Sequence, residues 1–163
     1  MPEKKTHDAA KKDQRESKSA STQAGEYVHE EIEHVKHGKH GARSAKQAIA
    51  IGLSKARRGG VKVPTKKTAS AATKKKAAQD EKAAKHPHPP SAARSKATTS
   101  ALKKEGHGAA STKALSSQTK KASAKRTASS RSAAAKKAAH TKGAAGRSAA
   151  AKKAAATRKK HAS

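Results

Sequence analysis

The chain has no cysteine, no tryptophan and no phenylalanine, and only one tyrosine and one methionine. Without cysteine there is no disulfide framework, no thiolate nucleophile and no thiolate zinc knuckle. With a single tyrosine ring it lacks the stacking platforms that hold single-stranded nucleic acid. Acidic residues are scarce too: 11 Asp and Glu stand against 40 Lys and Arg, a formal net charge of +29. No apolar run approaches the roughly 20 residues of a membrane span. The stretch MPEKKTHDAAKKDQRESK holds no apolar h-region, so no secretory signal is expected.

Large apolar side chains are also few. The 32% hydrophobic fraction is mostly the 40 alanines. Of the 12 larger apolar residues, nine (Tyr27, Val28, Ile32, Val35, Ile49, Ile51, Leu53, Val61 and Val63) lie between 27 and 63. Burying alanine gains little against about 1–2 kcal/mol of backbone entropy per ordered residue. The fold class expected is therefore mostly disordered, with a short all-α helical hairpin near the N-terminus and nascent helices in a basic tail.

Four segments are expected. Residues 1–20 mix both charge signs and read as a charged flexible arm. Residues 21–60 read as a helical hairpin domain. There Ser21 or Thr22 caps a first helix, and Val28, Ile32 and Val35 share one face at i, i+4, i+7. Gly38 can stop that helix as its left-handed terminal residue. Ser44 and Gln47 form an S-x-x-Q capping box. The second helix carries Ala45, Ala48, Ile49, Gly52, Leu53 and Ala56 at three- and four-residue spacing and ends at Gly59-Gly60. Gly52 costs about 1 kcal/mol against alanine in a helix, which suggests that it permits close helix contact. So thin a core needs help, either from a homodimer through the 21–60 hairpin or from folding on a partner.

Residues 61–98 read as a basic, proline-containing linker with an extended hinge at HPHPP, 86–90. Residues 99–163 read as Lys/Ala-rich 16-residue repeats, disordered when free. RSAAAKKAAHTKGAAG (131–146) is followed by RSAAAKKAAATRKKHA (147–162), and two degenerate copies precede them at 99–114 and 115–130. Ser100, Ser116, Ser132 and Ser148 are equally spaced, as are Lys104, Lys120, Lys136 and Lys152. Each unit reads as a cap residue, about ten helix formers and a small-residue break.

Charge is segregated along the chain. Residues 1–60 hold 13 basic and 8 acidic groups, a charge of +5, whereas 61–163 hold 27 and 3, a charge of +24. Such a charge needs a polyanion, and releasing the counterions of a duplex drives its binding. The expected partner is duplex DNA (or RNA). The expected contacts are Lys103, Lys104, Lys120, Lys121, Lys125, Arg126, Arg131, Lys136, Lys137, Lys142, Arg147, Lys152, Lys153, Arg158, Lys159 and Lys160. Lysine is a point charge without the fork that reads guanine, so low sequence specificity follows. No Leu/Phe/Trp face suits an interfacial helix, so no membrane partner is expected.

No catalytic constellation stands out, and neither an enzyme activity nor a cofactor is expected. His34, His37 and His40 recur every three residues and raise the question of a transition metal. The commoner reading is a polar outer face with Glu30–His34 and Glu33–His37 pairs, so no metal ligand is assigned.

Lys46-Gln47-Ala48-Ile49-Ala50-Ile51-Gly52-Leu53-Ser54-Lys55-Ala56-Arg57, preceded by the stretch from Gly25, resembles a small bacterial domain family of unknown function. The tail is similar in composition to the Lys/Ala-rich tails of linker histones and bacterial histone-like proteins. That resemblance implies DNA compaction or protection in a bacterial cytoplasm. The expectation is thus a non-specific, histone-like, nucleoid-associated DNA binder. The alternatives are an RNA- or ribosome-associated basic protein, and a protein-interaction or stress adaptor with a solubilising tail.

Overall fold

Serine caps set the element boundaries. Ser19, Ser44 and Ser70 each accept a hydrogen bond at 3.3 Å from the backbone N–H three residues on, those of Thr22, Gln47 and Thr73. They open α2 (Ala20–Lys36), α3 (Ala45–Arg58) and α4 (Ala71–Lys85) in a computed structural model that describes residues 3–86 and 91–162, with side chains as far as 160. Before them lies α1 (Lys4–Arg15). After them come α5 (Ala92–Lys103), a 3-10 turn (Gly108–Ala110), α6 (Thr112–Ala124) and α7 (Ala128–Ala162). No strand occurs among the described residues. The chain divides into two units, residues up to 118 and residues from 119.

The hairpin stands as α2 and α3, but it opens at Ser19 rather than at Ser21 or Thr22. Gly38 ends α2 at φ +73°, the left-handed position open to glycine. The capping box is shifted by one residue: Ser44 takes the Gln47 N–H, while Gln47 Oε1 accepts from Arg43 N–H at 2.9 Å. The α2–α3 seam is built from small residues. Ala45, Ala48, Gly52 and Ala56 are the buried positions of α3, whereas Ile49 and Leu53 are only half buried. A Cβ added to Gly52 would stand 2.7 Å from Val28 Cα, so the two backbones meet closely there.

The rest of the chain supplies what the thin hairpin lacks. The 1–20 segment is not a flexible arm: α1 packs on α2, and Ala10 joins Ala24, Tyr27, Ala56, Val61 and Val63 in one core cluster. Its Lys, Gln, Arg and Ala residues are good helix formers, and Ala10 needs only a small footprint. Tyr27 is fully buried, its hydroxyl 3.2 Å from His7 Nδ1. A second cluster joins Val35, Ala42 and Ala48 to Ala109 and Ala110, brought in by the 3-10 turn. The Gly41 and Ala42 N–H groups donate to Leu102 and Gly106 carbonyls at 2.9 and 3.0 Å. The 61–98 segment is likewise more than a linker, since α4 packs on α3. Residues 87–90 of the expected hinge lie outside the described residues.

The expectation of a mostly disordered chain is overturned: the basic tail is helical as well. Alanine forms helix through its own propensity and does not need a core to do so. The helix starts repeat at the period of the sequence. Ser111 and Thr127 open α6 and α7, and Gly143 breaks α7 at φ +65°, ψ 172°. These three positions are 16 residues apart. Ser100, Ser116, Ser132 and Ser148 therefore lie inside helices and are not the caps.

Candidate nucleic-acid interface and a buried carboxylate cluster

All sixteen basic residues singled out from the sequence are exposed. Lys103 and Lys104 close α5, Lys120 and Lys121 lie on α6, Lys125 and Arg126 fill the break after it, and Arg131 through Lys160 lie on α7. At 100° per residue, Arg131, Lys136, Lys137 and Lys142 spread around the helix, which makes a charged cylinder rather than a face.

Arginine and lysine behave differently here. Arg126 Nη2 donates to Ser130 Oγ at 3.1 Å, Arg131 Nη1 to the Arg126 carbonyl at 2.8 Å, and Arg147 Nη1 to the Ala139 carbonyl at 2.7 Å across the Gly143 break. Arg131 and Arg147 thus cover carbonyls left open at the helix breaks, whereas Arg126 reaches forward onto the first turn of α7. The two convincing repeats share local geometry: Thr141 and Thr157 hydroxyls donate to Lys137 and Lys153 carbonyls at 2.9 and 3.0 Å. Beyond Glu105 the sequence holds no acidic residue and 15 Lys and Arg.

Two acids of the 61–163 segment are used structurally. Glu105 pairs with Arg43 at 3.5 Å. Asp80, 1% exposed, accepts from Ser54 Oγ at 2.6 Å and Arg58 Nε at 2.9 Å, with Lys76 Nζ at 3.5 Å, and so ties α4 to α3. Burial pushes its pKa up, but the hydrogen bonds from Ser54 and Arg58 and the charges of Arg58 and Lys76 outweigh that and hold it below the usual aspartate value.

A second polar cluster lies beside α2. Glu31 is fully buried, with His40 Nε2 3.2 Å from Oε1 and Lys55 Nζ 2.5 Å from Oε2, yet no donor is aligned for a hydrogen bond on either oxygen. His34 Nε2 faces Glu3 at 3.1 Å and Glu30 at 3.8 Å. Lys39 bonds the same Glu3 carboxylate at 2.6 Å, and with His34 it holds the Glu3 pKa down to about 2. Of the three histidines singled out by spacing, His34 and His40 come together with rings 6.0 Å apart, while His37 turns outward to Glu33 at 2.9 Å. Glu31, Lys55 and Asp80 were missed in the sequence. The Glu31-x-x-His34 spacing was the one available signal for the first.

Residues 15–67 match a family of unknown function (DUF6496). The matched region takes in α2, α3 and the buried Val61 and Val63, and it leaves α4 through α7 outside. No curated protein and no solved structure matches the chain. Among the described residues, no helix is long and apolar enough to cross a membrane.

Proposed function

We propose that this chain is a non-specific, histone-like DNA-binding or compacting protein that acts by neutralising phosphate charge with its basic tail, in a cytoplasmic, nucleoid-associated setting. The observation that carries this reading is the run after Glu105, which holds 15 Lys and Arg and no acid, 13 of the 15 standing on α6 and α7 with their side chains exposed. A helical stretch such as 128–142 is about 22 Å long. A duplex carries about 13 phosphates over that length. Four cations of the stretch, Arg131, Lys136, Lys137 and Lys142, therefore meet an excess of phosphates wherever it lies. Their spread around the axis suits wrapping or bridging of duplex segments better than a fixed docking pose. Lysine–phosphate contacts carry no base information, so the reading entails weak sequence preference.

The test uses the full-length chain with Lys136, Lys137, Lys152 and Lys153 replaced by Gln, titrated against duplex DNA, duplex RNA and no competitor in equal salt. The expected result is binding to duplex DNA that weakens by at least tenfold in the variant. Stronger binding to duplex RNA would move the reading to an RNA-associated protein. No binding to either would leave the tail a solubilising segment.

A further inference from the structure

Three side chains of ligand type converge beside α2, far in function from the charge of the tail. Glu31 and His34 stand one turn apart on α2, and His40 returns from the loop once Gly38 has turned the chain. One ligand atom from each lies within 4.8 Å of the other two. Glu31 is 0% exposed, and both its carboxylate oxygens lack an aligned hydrogen-bond donor. A buried carboxylate is costly unless cations lie against it, and Lys55 supplies one at Oε2 only, which leaves Oε1 facing His40.

His40 is oriented for that role. Its Nδ1 lies 3.1 Å from the Gly41 carbonyl oxygen, which can only accept, so the proton belongs on Nδ1. In the neutral ring Nε2 then carries a lone pair, 3.2 Å from Glu31 Oε1. Two lone pairs at that separation repel unless a cation lies between them. Zinc bonds of about 2.0–2.1 Å to nitrogen and oxygen at a tetrahedral angle give ligand-to-ligand edges of about 3.3 Å. A backbone carbonyl on the far nitrogen is the usual support of a metal-binding histidine.

The surrounding charge also favours a cation. The carboxylates of Glu3, Glu30 and Glu31 face the ammonium groups of Lys39 and Lys55, which leaves one excess negative charge when the imidazoles are neutral. Lys55 neutralises Oε2 and leaves Oε1 to a second cation. We propose that Glu31, His34 and His40 form a site for a divalent transition ion of the zinc type, three protein ligands with a fourth position open. His37, bound to Glu33 and two-thirds exposed, is outside it. Such a site would tie α2 to the α2–α3 loop. It stands or falls independently of DNA binding.

The test titrates metal-free full-length chain with Zn²⁺ against a competing chromophoric chelator, and with Co²⁺ for the visible absorption of a tetrahedral N/O site. Variants His34→Ala, His40→Ala and His37→Ala are compared, each first shown to be folded by the emission of buried Tyr27. The expected result is one ion per chain, affinity lowered at least tenfold in H34A and H40A, and affinity unchanged in H37A. Zn²⁺ binding that survives in H34A and H40A, or that falls equally in H37A, would place the ion on exposed histidines and overturn the proposal. Absence of binding by the folded wild-type chain would overturn it too, leaving a protonated His40 as the partner of Glu31.

Discussion

Gly52→Ala separates close backbone packing from helix propensity. In an exposed helix interior the exchange stabilises by about 1 kcal/mol. At Gly52 the added Cβ meets Val28 Cα at 2.7 Å, Tyr27 O at 3.0 Å and Val28 Cγ2 at 3.0 Å. Carbon atoms settle at about 3.5–4.0 Å, so α2 and α3 must part by nearly 1 Å along their seam. Overpacking of that kind costs about 1–3 kcal/mol, and the net effect expected is a loss of about 0–2 kcal/mol. Gly25 provides the control, since it lies within α2 and an added Cβ there meets nothing within 4 Å. Gly25→Ala should therefore stabilise by about 1 kcal/mol. Urea unfolding followed through Tyr27, the sole aromatic ring and fully buried, reads both variants in the same unit. If Gly52→Ala proves as stable as Gly25→Ala, the seam is not in backbone contact and the hairpin packs differently.

Other consequences can be measured in the same way. Ala56→Leu, at a fully buried site, should cost about 1–3 kcal/mol, whereas Ala50→Leu on the exposed face of α3 should change little; equal effects would contradict the buried face assigned to α3. Asp80 has its pKa depressed in the fold, so its contribution is complete above the unfolded value near 3.8 and is lost as pH falls through the lower folded value. Asp80→Asn should lower stability at neutral pH by about 1–2 kcal/mol and flatten the acid limb of the stability curve, and an unchanged acid limb would show that α4 is not held by this pair. Gly143→Ala removes the residue that tolerates φ +65°, so it should join the two stretches of α7 and raise the helical circular dichroism signal; an unchanged signal would contradict the break.

Much of the head was legible because its signals are local. Ser44, Gln47, Gly38 and the small stripe on α3 each declare a cap, a stop or a seam within a few residues, and the close approach at Gly52 followed from the glycine itself. The partners that complete the head were not legible, because Ala10, Asp80, Ala109 and Ala110 reach it over long sequence distances and carry no pattern of their own. Weighing only large apolar residues made the tail read as disordered. Alanine propensity acts without burial, and the caps at Ser111 and Thr127 lie five residues before the serines that drew attention. For the site, spacing drew His34 and His40 into view but added His37, since periodicity along a helix does not register the turn at Gly38 that carries His40 back to Glu31.

The most direct test of the central claim is the salt dependence of duplex binding by the full-length chain, measured by fluorescence anisotropy on two unrelated duplexes of equal length. Residues 131–163 hold ten Lys and Arg. If half of them engage phosphates, the logarithm of affinity falls with the logarithm of salt at a slope of about −4.5, and engagement of all ten approaches −9. The account predicts a slope in that range, with the two duplexes bound within a few-fold of each other. A slope near −1 together with a strong preference for one duplex would contradict it and move recognition from the tail to the helical head.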